Sequence, residues 1–160
     1  MAVTIDLGAA RELHPRDKQP VGERLARQAL ARVYGLEVAY RGPVFESLAR
    51  EGSALALTFT AHEGELVDTN GGELEGFWIA GDERVFLPAR ASIEENVVRL
   101  SSPEVAEPVA ARYAFAGLPA CDLFDGAGLP AAPFRTDDWD DVVPPVSTRG
   151  PVEAAAPLER

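Results

Sequence analysis

At 160 residues the chain is long enough for one domain with a sizeable core and too short for two full domains. It carries 26 acidic against 15 basic side chains, a net charge of −11, and Lys18 is the only lysine, so nucleic acid is not an expected partner: counterion release requires clustered cations. The single cysteine, Cys121, excludes an intrachain disulfide and a cysteine-based metal set, and no apolar run approaches the ~20 residues of a membrane helix.

The first element is written in "MAVTIDLG", where Met1, Val3, Ile5 and Leu7 alternate with Ala2, Thr4 and Asp6 until Gly8. Period-2 alternation predicts a strand over Met1–Leu7. The same stretch has no basic and apolar leader pattern, so as written the chain reads as not exported and cytoplasmic. A loop carrying His14 follows. Then "DKQPVGERLARQALARVYG" places Val21, Leu25, Ala29 and Val33 at helical spacing, widened by Ala26 and Leu30. Asp17 is the expected N-cap, Pro20 falls in the first turn, Glu23 and Arg27 are an i,i+4 pair, and Gly35 suits the C-terminal end.

From Val38 onward the texture changes to short alternating runs. Leu55, Leu57 and Phe59 alternate, as do Phe77 and Ile79, Val85 and Leu87, Val98 and Leu100, and Val109, Ala111, Tyr113 and Phe115. The turn signals "EGS", "TNGG", "AGDE", "EEN" and "SSPE" separate them, the pattern of an antiparallel sandwich. After Trp139 the chain is rich in proline and alanine without apolar periodicity, and residues 142–160 read as a disordered tail.

His14 is one of only two histidines. Pro15 disfavours the α region for the residue before it, so His14 is expected to be extended, in a strand-to-helix loop of the kind on which α/β folds build sites. In an extended stretch Glu12 and His14 share a face, and a carboxylate holding one ring nitrogen leaves the other free as a general base. The plainer alternative is a histidine that only packs or caps the loop. His62, in "TAHEGE", has no partner at metal-ligand spacing and reads as solvated, while "TDDWDD" lacks the glycine and terminal glutamate of an EF-hand and reads as a solvated acidic end. Trp78, Trp139, Tyr113 and Phe134 suit a sugar-stacking platform or a core, and core packing is the expected role.

The run "MAVTIDLG", "LHPRDKQPVGERLARQALARVYG", "GPVFESL", "ELEGFWIAGDERVFLPARASIEENVVRLSSPEVAEPVAARYAF" and "GLPAAPFRTDDW" resembles, in that order, the C-terminal part of sialate O-acetylesterases. These are carbohydrate esterases of the SGNH hydrolase superfamily. The resemblance covers about Ala2 to Trp139. It implies that Ala2–Leu7 is the last strand of a flavodoxin-like catalytic domain, that His14 is the base of a serine esterase, and that residues 15–35 are its closing helix. The triad acid of such enzymes usually stands three residues before the histidine, a place held here by Arg11, which leaves Glu12 as the nearest acid. The nucleophile serine of a Gly-Asp-Ser-like motif and the oxyanion donors would lie ahead of Met1, and none of Ser47, Ser53, Ser92, Ser101, Ser102 and Ser147 has a GDS or GxSxG context.

The expected fold class is therefore mainly β: an antiparallel β-sandwich over residues 37–141, preceded in 1–36 by a strand, loop and helix remnant of an α/β SGNH hydrolase domain. The expected function is the C-terminal segment of a sialate O-acetylesterase-like enzyme, with catalytic residues His14 and Glu12, no cofactor and no metal. Its expected partners are the acetylated sugar and a missing N-terminal catalytic part, or a second copy through self-association. Neither nucleic acid nor membrane is expected. The rival reading is a noncatalytic sandwich module that binds glycan or protein.

Overall fold

The computed structural model describes residues 1–9, 14, 17–60 and 63–140. Alternating apolar side chains need a second layer to bury against, and the chain supplies it with two four-stranded antiparallel sheets. The first contains β1 (Val44–Glu51), β2 (Ala54–Thr60), β6 (Arg90–Glu94) and β7 (Val97–Ser101) in the order β1-β2-β7-β6. The second contains β4 (Phe77–Ala80), β5 (Leu87–Pro88), β8 (Ala110–Tyr113) and β10 (Phe134–Arg135) in the order β10-β8-β4-β5. A separate two-stranded sheet pairs β3 (Leu66–Asp68) with β9 (Leu123–Asp125). This is the mainly β, antiparallel sandwich the alternation predicts.

Turn chemistry fixes the registers. Glu95 and Asn96 both take left-handed φ, 50° and 65°, between β6 and β7, which marks the two-residue hairpin turn whose twist matches its strands. Gly76 has φ 84°, and a Cβ there would stand 2.3 Å from the Ala120 carbonyl oxygen, so neither the conformation nor the space admits a side chain.

Leu55 and Leu57 from one sheet and Ile79 and Tyr113 from the other are fully buried in one shared core. Burial of such aliphatic side chains contributes roughly 1.5–3 kcal/mol each. Phe45 stacks on Phe134 at 4.6 Å and Phe77 lies 4.5 Å from Tyr113, centroid to centroid, so Tyr113 and Phe134 do belong to the core. The Leu123 amide donates to the Tyr113 hydroxyl, and burial raises that phenol far above its usual range. Cys121 is buried beside them at 6% exposure.

Several expectations are corrected. Met1–Leu7 is not a strand: it contains one 3-10 turn, Ile5–Leu7. A strand requires a ladder partner, and here the backbone carbonyls of Met1 and Val3 are bound instead by side chains of the helix α1 (Gln19–Arg32). Lys18, not Asp17, is the N-cap of α1, because the helix begins two residues after Asp17. Glu23 accepts from Gln19 rather than pairing with Arg27, whose guanidinium reaches the Ala39 carbonyl. Gly35 does turn the chain out of the helix, at φ 68°.

The apolar stripe of α1 is on the outside. Leu25 and Val33 are exposed, and the one buried residue of the helix is Arg24. Val85 is exposed in the loop before β5 rather than buried in alternation with Leu87. All four residues of β8 are buried, not every second one, because Asp137, Phe86 and Phe115 enclose Arg112 on the other face. The tail at 142–160 and His62 lie outside the described residues.

Candidate functional site

Asp6 and Arg24 are eighteen residues apart and form a two-pronged pair, Nη1 to Oδ1 at 2.6 Å and Nη2 to Oδ2 at 2.7 Å. Nη1 also donates to the Val3 carbonyl at 2.9 Å. One turn further along α1, the Gln28 side-chain amide donates to the carbonyls of Met1 and Tyr40, at 3.1 and 2.6 Å. Both carboxylate and guanidinium are nearly nine-tenths buried, the condition under which a charged hydrogen-bonded pair resists competition from water. The polar face of α1 thus clasps the N-terminal segment, and the chain between these two anchored ends carries His14.

His14 itself is exposed and has no hydrogen-bond partner among the described residues. Glu12 lies outside them. None of the described serines is hydrogen-bonded to His14. Ser47 exchanges a hydrogen bond with Thr58 on the first sheet, and Ser102 accepts from the Glu104 amide in a turn. The described residues therefore present one exposed imidazole with no hydroxyl or carboxylate hydrogen-bonded to it.

The acids that alternation could not place are structural. Asp125 accepts from the amides of Glu63, Ala127 and Leu129, and Asp122 from the Glu75 amide and the Asn70 side chain. Burial raises the Asp122 carboxyl above its usual range, and its Oδ1 has no partner. The Asp137 side chain, read from "TDDWDD" as solvated, is instead fully buried against Arg112. The hydrogen bond from Arg112 is the main cause that holds its carboxyl below the usual range. Among the described residues no group of three histidine, cysteine or acidic side chains is placed to hold a metal ion.

Asp6, Arg24 and Gln28 carry no sequence signal. Asp6 sits on the outward side of an apparent strand, and Arg24 and Gln28 on the polar face of an amphipathic helix, where solvation is the ordinary expectation.

No family model matches the chain, and no curated protein matches it. Among solved structures, it is similar to a carbohydrate acetylesterase from Xanthomonas citri. The two superpose with a TM-score of 0.82 at 40% identity, over 86% of this chain and 32% of that one. The chain thus spans about a third of the length of the solved esterase it matches. At this identity the likeness extends beyond fold and supports a relationship to carbohydrate esterases.

Proposed function

We propose that the chain is the β-sandwich and base-bearing part of a carbohydrate O-acetylesterase, with His14 as general base and Glu12 as the acid that orients it. The 40% identity to the Xanthomonas citri acetylesterase at a TM-score of 0.82 carries this reading. In the reaction, a serine supplied by the rest of the esterase attacks the acetyl carbonyl as His14 takes its proton. As the tetrahedral intermediate collapses His14 returns the proton to the leaving sugar oxygen, and water, deprotonated in turn by His14, then attacks the acetyl-serine and frees acetate and the serine hydroxyl. The clasp between Asp6 and Arg24 serves this chemistry by fixing where the imidazole is presented. Sialic acid O-acetyl esters are the substrate class that the sequence resemblance favours.

The experiment is a chimera in which this chain replaces the aligned third of the Xanthomonas citri esterase, assayed for acetate release from O-acetylated sialosides and O-acetylated neutral oligosaccharides. Turnover that falls by about a thousandfold or more on His14→Ala supports the role. Turnover unchanged by that substitution removes it.

A noncatalytic glycan-binding role has one observation in its favour: a cleft of about 530 Å³ lined by half-buried Trp78 together with Glu75, Arg90 and Glu104. Sugar binding there by the isolated chain, lost in Trp78→Ala and without any contribution to turnover in the chimera, would favour it.

A further inference from the structure

The chain crosses from one sheet to the other at Ala89, between β5 at the edge of the second sheet and β6 at the edge of the first. At this corner lies the cleft of about 530 Å³ that half-buried Trp78 lines. A second cleft of about 450 Å³ adjoins it, and the two share Glu73 and Arg90. One wall is the loop 69–76, whose shape is set by Asp122. Asp122 is 2% exposed, and its Oδ2 accepts from the Glu75 amide at 2.8 Å and from the Asn70 side-chain amide at 3.2 Å. The rest of the loop is pinned as well: the Leu74 amide donates to the Ala91 carbonyl, and the Gly76 carbonyl accepts from the Ala114 amide. Leu74 is buried, which leaves Glu73 and Glu75 on either side of it exposed. Glu104 lines the cleft from the turn after β7, where its amide donates to the Ser102 hydroxyl. Among the described residues, no hydrogen bond or ion pair occupies the side chains of Glu73, Glu75, Arg90 or Glu104.

We infer that this corner is a binding site for an uncharged oligosaccharide, and that Asp122 is the residue that positions its wall. The inference rests on the glycan-binding reading of the same cleft; it adds the class of glycan and the group that preforms the site. The lining has what a sugar requires: carboxylates that accept from its hydroxyls, a guanidinium that donates to its oxygens, and an indole for its C–H face. Charge decides the class. Three carboxylates line the cleft against one guanidinium, in a chain of net charge −11, and this field opposes a sugar that itself carries a carboxylate, sialic acid included. The volume falls within the roughly 300–1,000 Å³ of small-ligand sites, and the adjoining cleft gives a longer chain a place to continue. A wall already fixed by Asp122 has little freedom left to lose when the sugar binds.

The test is calorimetric titration of the chain at low salt with the neutral sugars cellotetraose, xylotetraose, mannotetraose and galactotetraose, and with the carboxylated sugars sialyllactose and tetragalacturonate. At least one neutral tetrasaccharide should bind, more tightly than either carboxylated sugar, and Trp78→Ala should weaken it by about tenfold. Asp122→Ala should weaken it by a similar factor, while Asp122→Asn at pH 7 should restore binding, because the side-chain oxygen can still accept from the Glu75 amide. Asn70→Ala, at an exposed residue, removes one of the two bonds that hold the loop and should give a smaller loss of the same sign with the unfolding midpoint unchanged, whether or not Asp122→Ala folds. A carboxylated sugar that binds as tightly as the best neutral one overturns the class and leaves the glycan-binding reading standing. Neutral-sugar binding that Trp78→Ala leaves intact overturns the site, and binding that is lost in Trp78→Ala but indifferent to both Asp122→Ala and Asn70→Ala overturns the part given to Asp122. No binding of any of these sugars overturns the inference and the glycan-binding reading together. None of these readouts involves turnover, so the esterase reading is decided separately.

Discussion

Arg112 and Asp137 are joined by two parallel hydrogen bonds, Nε to Oδ2 at 2.9 Å and Nη2 to Oδ1 at 2.7 Å, with both side chains fully buried. Phe86 lies 4.0 Å and Phe115 5.1 Å from the guanidinium carbon, so aromatic faces surround the cation. Its Nη1 has no hydrogen-bond partner. Removing one member leaves the other charge buried and uncompensated, so Asp137→Ala or Arg112→Ala should cost about 3–5 kcal/mol. Replacing both together, Arg112→Met with Asp137→Leu, should cost less than either alone. Urea denaturation of the three variants tests this, and a double variant as unstable as the sum of the two singles would contradict it.

The two perturbed carboxyls respond to pH in opposite senses. Asp137 has a folded pKa below its unfolded value of about 3.9, so its contribution is present above that pH and is lost as the pH falls through the folded value. Acid unfolding should therefore move to higher pH in Asp137→Asn.

Asp122 has a folded pKa above its unfolded value, so between the two the folded state holds the extra proton and stability declines as the pH rises. Asp122→Asn should be less costly at pH 7 than at pH 3. Equal costs at both would show that burial does not penalise the Asp122 charge.

The clasp on the N-terminal segment is separable from the sandwich. Asp6→Ala should lower the local opening free energy of the N-terminal segment by about 2 kcal/mol, the scale of hydrogen bonds to charged groups, while the global midpoint changes little. Hydrogen exchange reads this directly: the Leu7 amide, which donates to the Thr4 carbonyl, should exchange faster, and amides of β2 and β7 should not. Equal acceleration in both would mean that the clasp and the sandwich unfold as one unit.

On the proposed role of His14, the isolated chain should not turn over a simple acetyl ester, since none of the described serines is hydrogen-bonded to it and a base without its nucleophile gains little. Turnover by the purified chain that disappears in His14→Ala would refute this.

The sandwich was legible because Leu55, Leu57, Phe77, Ile79, Val98 and Leu100 alternate as core residues must, and because "EGS" and "EEN" are turn chemistry. The edge strand β1 and the two-residue β10 were not, since edges and short strands have little periodicity to read, and β5 was read only through Leu87. The N-terminal alternation misled because a pattern states which face is apolar and not whether a neighbouring strand exists to pair with it. The stripe on α1 was read correctly as apolar, but its direction depends on what it packs against. Asp137 was taken as solvated because its partner lies twenty-five residues back on β8, a distance over which composition carries no information.

Cys121 gives the molecule its own reporter. It is the sole thiol in the chain and is 6% exposed, packed in the cluster that holds Tyr113 and Leu123. The Gly76 backbone passes so close to the Ala120 carbonyl that this stretch has no room to shift without its neighbour. A thiol-reactive probe can therefore label Cys121 only when that junction opens, and the labelling rate at low denaturant counts those openings without any engineered residue.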